Sequence, residues 1–400
     1  MDLTPREELG QRIHRLQERM RTLSWDAVML MLRVHVFYYS GTAQHGVAVI
    51  PAEGEPILLV QKSYPRARQE SPLGEIRPLR SLSHIAETLS GAASFPVGTV
   101  GLELDALPTA AYFRLVKQYA DTEWVDCSPV LRELRMVKSP YEIDRMRRAA
   151  AQIGRLFDRV PEFLREGIRE VDLAGDLEGL FRKLGHQGAI RMHKWNSDFH
   201  YGAVSSGPTA LHPHAFDGPV GTRGLYAAVP QGAGSRIIGR NEPVVIDFVS
   251  GYSGYNVDET RVFSLGPVHE RLAEAHEFAL TVLRRIEDHL SPGTLASAIY
   301  EEVATDVNDH ALAPYFMGHG DNRVRFLGHG VGLELDEWPV IAPKFDVSLE
   351  PGMTIAIEPK VFLPDLGGAG VENTYLITEE GFEKLTTNDE SIRDCAAGRS

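Results

Sequence analysis

Gly328-His329-Gly330-Val331-Gly332-Leu333-Glu334-Leu335-Asp336-Glu337 is the stretch on which the chain turns. Glycines on both sides of a histidine free the backbone, and alone they mark only a turn. His329 gains weight from four carboxylates set at the edges of apolar runs. Pro243-Val244-Val245-Ile246-Asp247 ends in an acid, a turn at Gly251-Tyr252-Ser253-Gly254-Tyr255 follows, and Asp258 stands eleven positions after Asp247, a spacing that suits facing arms of a hairpin. Glu358 closes the run Met353-Thr354-Ile355-Ala356-Ile357, and fourteen positions later Glu372 opens another. If the four acids converge, each pair about 4 Å apart repels by roughly 4 kcal/mol at an effective dielectric near 20, so a counter-charge is needed or some must hold protons. Two divalent cations would balance four carboxylates. One imidazole with carboxylates bridging two ions is a recipe for hydrolysis. Oxygen-rich ligation with a single His favours Mn²⁺, Co²⁺, Zn²⁺ or Fe²⁺ over copper or a structural zinc.

The rest of the chain narrows the function classes. Its 400 residues exceed one ordinary core and suit two domains. Lys plus Arg is 41 and Asp plus Glu is 55, a formal charge of −14, which leaves no electrostatic footprint for nucleic acid or an anionic membrane. Cys127 and Cys395 are the only cysteines and lie far apart, which argues against a disulfide framework or a cysteine zinc site and for a reducing compartment. The N-terminus lacks the basic and apolar regions of a secretory signal, and no run reaches the roughly 18 apolar residues of a membrane helix. A cytoplasmic protein is expected.

In chain order, residues 6–20 carry Leu9, Ile13, Leu16 and Met20 on one helical face. Apolar runs at 27–32, 46–50 and 56–60 read as strands. Helix at 84–89, strand at 97–102 and helix at 108–119 continue an α/β domain. No phosphate loop or dinucleotide fingerprint lies in it. Ser139-Pro140-Tyr141-Glu142 has the form of a capping box, which starts a helix running to about residue 163 and puts the domain boundary near 138, giving domains 1–138 and 139–400. Helices are expected at 172–184, 272–286 and 296–308, and strands at 190–195, 203–206, 243–249, 261–265, 353–357 and 372–377. Residues 216–240 form a glycine-rich connection, long enough to be functional or mobile.

Taken in order and with their neighbours, Val-Val-Ile-Asp247-Phe, Asp258-Glu-Thr-Arg261, Gly-His329-Gly-Val-Gly-Leu-Glu, Glu-Pro-Gly-Met-Thr-Ile-Ala-Ile-Glu358-Pro and Gly-Val-Glu372-Asn-Thr-Tyr resemble the metal-binding motifs of the pita-bread metallopeptidases, which include methionine aminopeptidase, Xaa-Pro aminopeptidase and prolidase. The junction Val-Lys-Ser-Pro-Tyr-Glu-Ile is similar to the entry of that catalytic domain. An α/β domain before it resembles prolidase, Xaa-Pro aminopeptidase and creatinase. The resemblance implies a creatinase-like N-terminal domain and a pita-bread catalytic domain. It implies two divalent metal ions, Mn²⁺ first and Co²⁺, Zn²⁺ or Fe²⁺ after it, held by Asp247, Asp258, His329, Glu358 and Glu372. It implies a homodimer and an Xaa-Pro aminopeptidase or dipeptidase in which a metal-bridging hydroxide attacks the scissile carbonyl while Glu358 shuttles the proton.

Two departures stand out. The family usually has a histidine seven positions after its histidine ligand, where it helps hold the oxyanion, and here that position is Asp336. An ionised carboxylate cannot donate to an oxyanion. Family members also often carry a histidine after a Ser-Gly turn. Ser206-Gly207 is followed by His212 and His214, and spacing favours His214 as a catalytic group, with His193 and His200 nearby. Gly318-His319-Gly320 repeats the glycine-flanked histidine without the Val-Gly-Leu-Glu continuation and is rejected as the ligand. The alternative to a peptidase is a lyase or hydrolase of small molecules with Asp336 as general base, and a third reading is a binding protein without catalysis, the weakest since all five ligands are present. The partner is in the first two cases a peptide or small-molecule substrate.

Overall fold

Short apolar runs pair into sheets and longer stretches with apolar residues three and four apart pack onto them. In the computed structural model of this chain the two patterns sort into units Met1–Arg135 and Met136–Ser400. The structure describes residues 2–85, 98–194, 197–320 and 323–396.

In the first unit α1 (Arg6–Leu23) buries Leu9, Ile13, Leu16 and Met20, the stripe expected from their spacing. There follow β1 (Ala27–Leu30), α2 (Arg33–Ser40), β2 (Gly46–Pro51), β3 (Ile57–Val60), α3 (Tyr64–Glu70), β4 (Glu75–Pro78), β5 (Thr99–Leu102), α4 (Thr109–Gln118), β6 (Glu123–Asp126) and α5 (Ser128–Met136), which reaches the unit's end. The strands form one mixed sheet in the order β4-β3-β2-β1-β5-β6. Ala27, Met29, Val47, Val49, Leu59, Val100 and Leu102 fill its core. The helix expected at 84–89 falls almost wholly outside the described residues, as does the start of the strand expected at 97–102. Helix α2 was not expected.

The second unit opens on α6 (Pro140–Phe163), whose Ser139 hydroxyl accepts from the Glu142 N–H while the Glu142 carboxylate accepts from the Ser139 N–H, the reciprocal capping box read from sequence. After α7 (Glu170–Lys183) come β7 (Gly202–Ser206), β8 (Val244–Tyr252), β9 (Tyr255–Ser264), α8 (Glu270–Glu287), α9 (Ala296–Asn308), β10 (Gly328–Gly330), β11 (Glu337–Ile341), β12 (Thr354–Ile357), β13 (Lys360–Leu363), β14 (Gly367–Gly370), β15 (Asn373–Thr378), β16 (Gly381–Lys384) and β17 (Arg393–Asp394). One sheet runs β17-β9-β8-β7, a second β11-β10-β12-β15-β16, and β13 pairs with β14. Helix α6 packs on β8 and β9, and α8 on β13 and β14. The mixed α/β architecture in two parts is the one expected.

Two details differ from expectation. Residues 190–194 form no strand, although Leu335 N–H donates to the Arg191 carbonyl at 2.9 Å, which ties this extended segment to the stretch around His329; residue 195 is outside the described residues. Strand β8 does not end at Asp247 but continues to Tyr252, so the acid sits in mid-strand.

Candidate metal centre

The hairpin of β8 and β9 sets the first two acids. Its register pairs Asp247 with Thr260 and Val249 with Asp258. Side chains alternate faces along a strand, so Asp258, Thr260 and Asp247 share one face. On the second sheet His329 of β10 lies opposite Ala356 of β12, and Glu358, two residues beyond Ala356, continues the same face. Ile357 pairs with Asn373, which brings Glu358 and Glu372 to adjoining ends of β12 and β15. Reciprocal hydrogen bonds between the Thr260 and Glu372 backbones, at 3.4 and 3.3 Å, join the two sheets at this point. The glycines beside His329 are needed for close approach. A Cβ at Gly328 would lie 2.4 Å from the Ala356 carbonyl oxygen, and one at Gly330 would lie 2.3 Å from that of Trp338.

Five residues predicted from sequence therefore meet in space. Ligand atoms of Asp258, His329 and Glu372 lie within 4.8 Å of one another, and so do those of Asp247, Glu358 and Glu372. All are buried except Asp247, which is partly exposed. His329 Nδ1 lies 3.1 Å from the Gly330 and Leu335 carbonyl oxygens, so this nitrogen carries the proton and Nε2 is left as a lone pair. Nε2 points at Glu358 Oε1 and Glu372 Oε1, 3.9 Å from each. Asp258 Oδ1 and Glu372 Oε1 are buried with no hydrogen-bond partner. Buried acceptors without donors around a vacant imidazole lone pair fit a cation, and the oxygen-rich donor set suits a hard or borderline divalent metal.

Packed this closely and buried, the acids are strained electrostatically. Burial pushes the Glu358 carboxyl up to about 8, with Lys360 opposing and Glu372 adding to the rise. Burial, then the charges of Glu372 and Asp247, holds Asp258 well above the ordinary carboxylate range, and burial raises Asp247 too. Burial would lower the His329 pKa, but Asp336, Glu358 and Glu372 together raise it.

A family model described as metallopeptidase family M24 matches residues 144–379, which contain all five residues, and a creatinase/prolidase N-terminal domain model matches residues 12–137. The chain belongs to metallopeptidase family M24. An Xaa-Pro dipeptidase of Pyrococcus furiosus is 29% identical over 391 residues, covering 96% of this chain and all of the relative. Among solved structures, the prolidase of Pyrococcus horikoshii superposes with a TM-score of 0.80 at 26% identity, over 96% of this chain and 99% of that one. The X-Pro aminopeptidase of Thermotoga maritima does so with a TM-score of 0.79 at 25% identity, again over 96% and 99%.

Above the five residues of this M24 chain is a cavity of about 250 Å³. Its walls come from α7, from the start of β7 and from the long connection between β7 and β8, including Phe216, Val220 and Val229. The glycine-rich stretch at 216–240 thus lines the site. Asp336 also lines the cavity, with its side chain 36% exposed and its Oδ1 3.6 Å from His329 Nδ1, and burial raises its pKa. His214 lines the cavity too, but both ring nitrogens are engaged. Nε2–H donates to the Val220 carbonyl at 2.8 Å and Nδ1 accepts from the Phe216 N–H at 3.0 Å. The catalytic role expected of His214 finds no free ring nitrogen, and burial lowers its pKa and keeps it neutral. His200 is on the cavity wall, His193 lies 3.6 Å from Glu334, and His319 is not on the lining.

Sequence reasoning missed Lys360. Its Nζ donates to Glu358 Oε2 at 2.5 Å, Glu372 Oε2 at 2.7 Å and Asp247 Oδ2 at 3.3 Å, and the side chain is 1% exposed. Burial alone would lower its pKa, and the three carboxylates instead hold it well above the ordinary lysine value. The signal was present, since a residue two positions after Glu358 in an extended segment shares its face.

Proposed function

We propose that this M24 chain is a metal-dependent exopeptidase that cleaves the bond between an N-terminal residue and proline. The observation that carries it is the convergence of Asp247, Asp258, His329, Glu358 and Glu372 beneath a cavity, with acceptor atoms unpartnered. The full-length similarity to the Pyrococcus furiosus Xaa-Pro dipeptidase supports the proline preference and disfavours the non-peptidase alternative. The metal, when bound, would polarise the scissile carbonyl and acidify a water molecule. Mn²⁺ is the first candidate and Co²⁺ the second, from the oxygen-rich set with one imidazole.

The chain's own residues divide the remaining work. Asp258 and Glu372 offer their unpartnered oxygens to the cation, and His329 offers Nε2 because the Gly330 and Leu335 carbonyls hold the proton on Nδ1. Glu358, whose Oε2 is fixed by Lys360, keeps Oε1 toward the cavity floor, where it can take a proton from water and pass it to the leaving proline nitrogen. The walls of Phe216, Val220 and Val229 give a proline ring an apolar seat. Asp336, standing where the family usually has a histidine, accepts rather than donates when ionised, which suits it to the substrate's N-terminal ammonium and not to a developing oxyanion. A cytoplasmic homodimer is part of this reading, on the cysteine count and on the resemblance of the N-terminal domain.

Hydrolysis of an Xaa-Pro tripeptide, an Xaa-Pro dipeptide and a Met-Ala tripeptide, by protein stripped and reloaded with Mn²⁺, Co²⁺ or Zn²⁺, tests the proposal. Cleavage before proline, lost in Glu372→Ala, is the expected result. Metal-loaded protein that cleaves none of the three would overturn it.

A further inference from the structure

The two groups of ligand atoms beneath the cavity differ in what already fills them. Around Asp258, His329 and Glu372 the acceptors face one another with no donor between them, and His329 Nε2 stands 3.9 Å from two carboxylate oxygens, beyond hydrogen-bond range. Around Asp247, Glu358 and Glu372 a cation is already in place. The Lys360 ammonium has three hydrogens and meets three carboxylates, one from each of these residues. The oxygens it takes, Glu358 Oε2 and Glu372 Oε2, are the other halves of the carboxylates whose Oε1 atoms face His329.

We propose that the Lys360 ammonium is a built-in replacement for one of two metal ions, so that this protein binds a single divalent cation, at Asp258, His329 and Glu372 with Glu358 beside it. The inference rests on reading these residues as metal ligands. A second divalent ion among Asp247, Glu358 and Glu372 would have to share all three carboxylates with a like charge in direct contact, a strongly repulsive arrangement in a buried site. The lysine has no open way out to solvent, since its side chain is 1% exposed and its backbone is held in the pairing of β13 with β14 opposite Gly370. Asp247 then acts through Lys360 and not on the metal. It accepts the third ammonium hydrogen, and the ammonium in turn orients Glu358 and Glu372.

Counting the ions tests this without reference to activity. Chelator-stripped full-length protein is loaded with Mn²⁺, freed of excess, and measured by elemental analysis and by electron paramagnetic resonance. The wild type should hold one Mn²⁺ per chain with the six-line spectrum of an isolated ion. Lys360→Met, and Lys360→Gln should the methionine variant not fold, should hold two per chain with the spectrum of an exchange-coupled pair. Two coupled ions in the wild type would overturn the proposal while leaving the metal-site reading intact, and that result needs no variant. One ion in the wild type and also in the lysine variants would overturn the role of Lys360. No ion in the wild type, with Glu372→Ala indistinguishable from it, would overturn the metal-site reading itself and this proposal with it.

Discussion

The four acids among the metal-site candidates were legible because each interrupts or borders an apolar run, where a solvated carboxylate has little reason to be, and His329 was legible only in their company. Lys360 was not, since a buried lysine is legible only once the carboxylates around it are known, and nothing in Ser206-Gly207 reveals that backbone groups of its own loop occupy both nitrogens of His214. His329→Ala removes the Nε2 donor, and Mn²⁺ affinity by isothermal titration should fall by at least about 100-fold, since losing even the partners of a ligand costs 10- to 100-fold. The buried acids also fix a pH dependence. In the metal-free protein Glu358 is pushed up to about 8 from an ordinary 4.5, so between those values the folded state holds a proton that the unfolded chain has released. Stability therefore falls as pH rises from about 4.5 to about 8. The raised pKa values of Asp247, Asp258 and His329 act in the same direction. Bound metal requires deprotonated ligands, so the gain in Tm from Mn²⁺ should grow across that window. Thermal denaturation in chelator and in Mn²⁺ from pH 5 to 8 reads both, and a chelator profile that rises with pH would contradict the buried-acid account.

Elements were legible where their signals are local. The capping box at Ser139 and Glu142 named the start of α6, and the stripe from Leu9 to Met20 named α1. Helix α2 escaped because its signals are remote and its composition misleads. Val34, Val36, Tyr38 and Tyr39 favour strand, and the N–H groups of Met31 and Leu32 that begin it are accepted by Glu103, about seventy positions away. The run at 190–194 failed the other way, since the Arg191 carbonyl is taken by the Leu335 N–H and not by a sheet partner. The start of α6 also bears on the metal site. Glu142 Oε2 accepts from the Ser139 N–H while its Oε1 accepts from the Tyr255 hydroxyl at 2.8 Å, at the head of the strand that carries Asp258. Ser139→Ala should cost about 1 kcal/mol, a Tm drop of roughly 2 °C. Glu142→Ala should lower Tm further, because it breaks the cap and also removes the buried hydrogen bond from the Tyr255 hydroxyl. Equal drops in the two variants, by calorimetry, would show that the contact with Tyr255 contributes nothing.

For the molecule as a whole, the formal charge of −14 is not spread evenly with respect to the cavity. Glu178, Asp217 and Asp336 line it in addition to the metal-site acids, and among the described residues no lysine or arginine does. A free Xaa-Pro dipeptide would have to bring its carboxylate into this acidic enclosure, where the Lys194 ammonium is already paired with Asp217 at 2.9 Å, whereas its N-terminal ammonium is welcome. Extending the substrate by one residue carries the carboxylate outward, and amidation removes the charge altogether. An Xaa-Pro amide and an Xaa-Pro tripeptide should therefore be cleaved with a kcat/KM at least 10-fold above that of the matching dipeptide, mainly through KM. Because the effect is partly a long-range repulsion, raising the ionic strength from 0.01 M, where the screening length is about 30 Å, to 1 M, where it is about 3 Å, should narrow the gap. A dipeptide cleaved as well as its amide at low salt would mean that a positive group outside this lining, from a neighbouring subunit or from the residues around it, receives the carboxylate, and would move the specificity from aminopeptidase to dipeptidase.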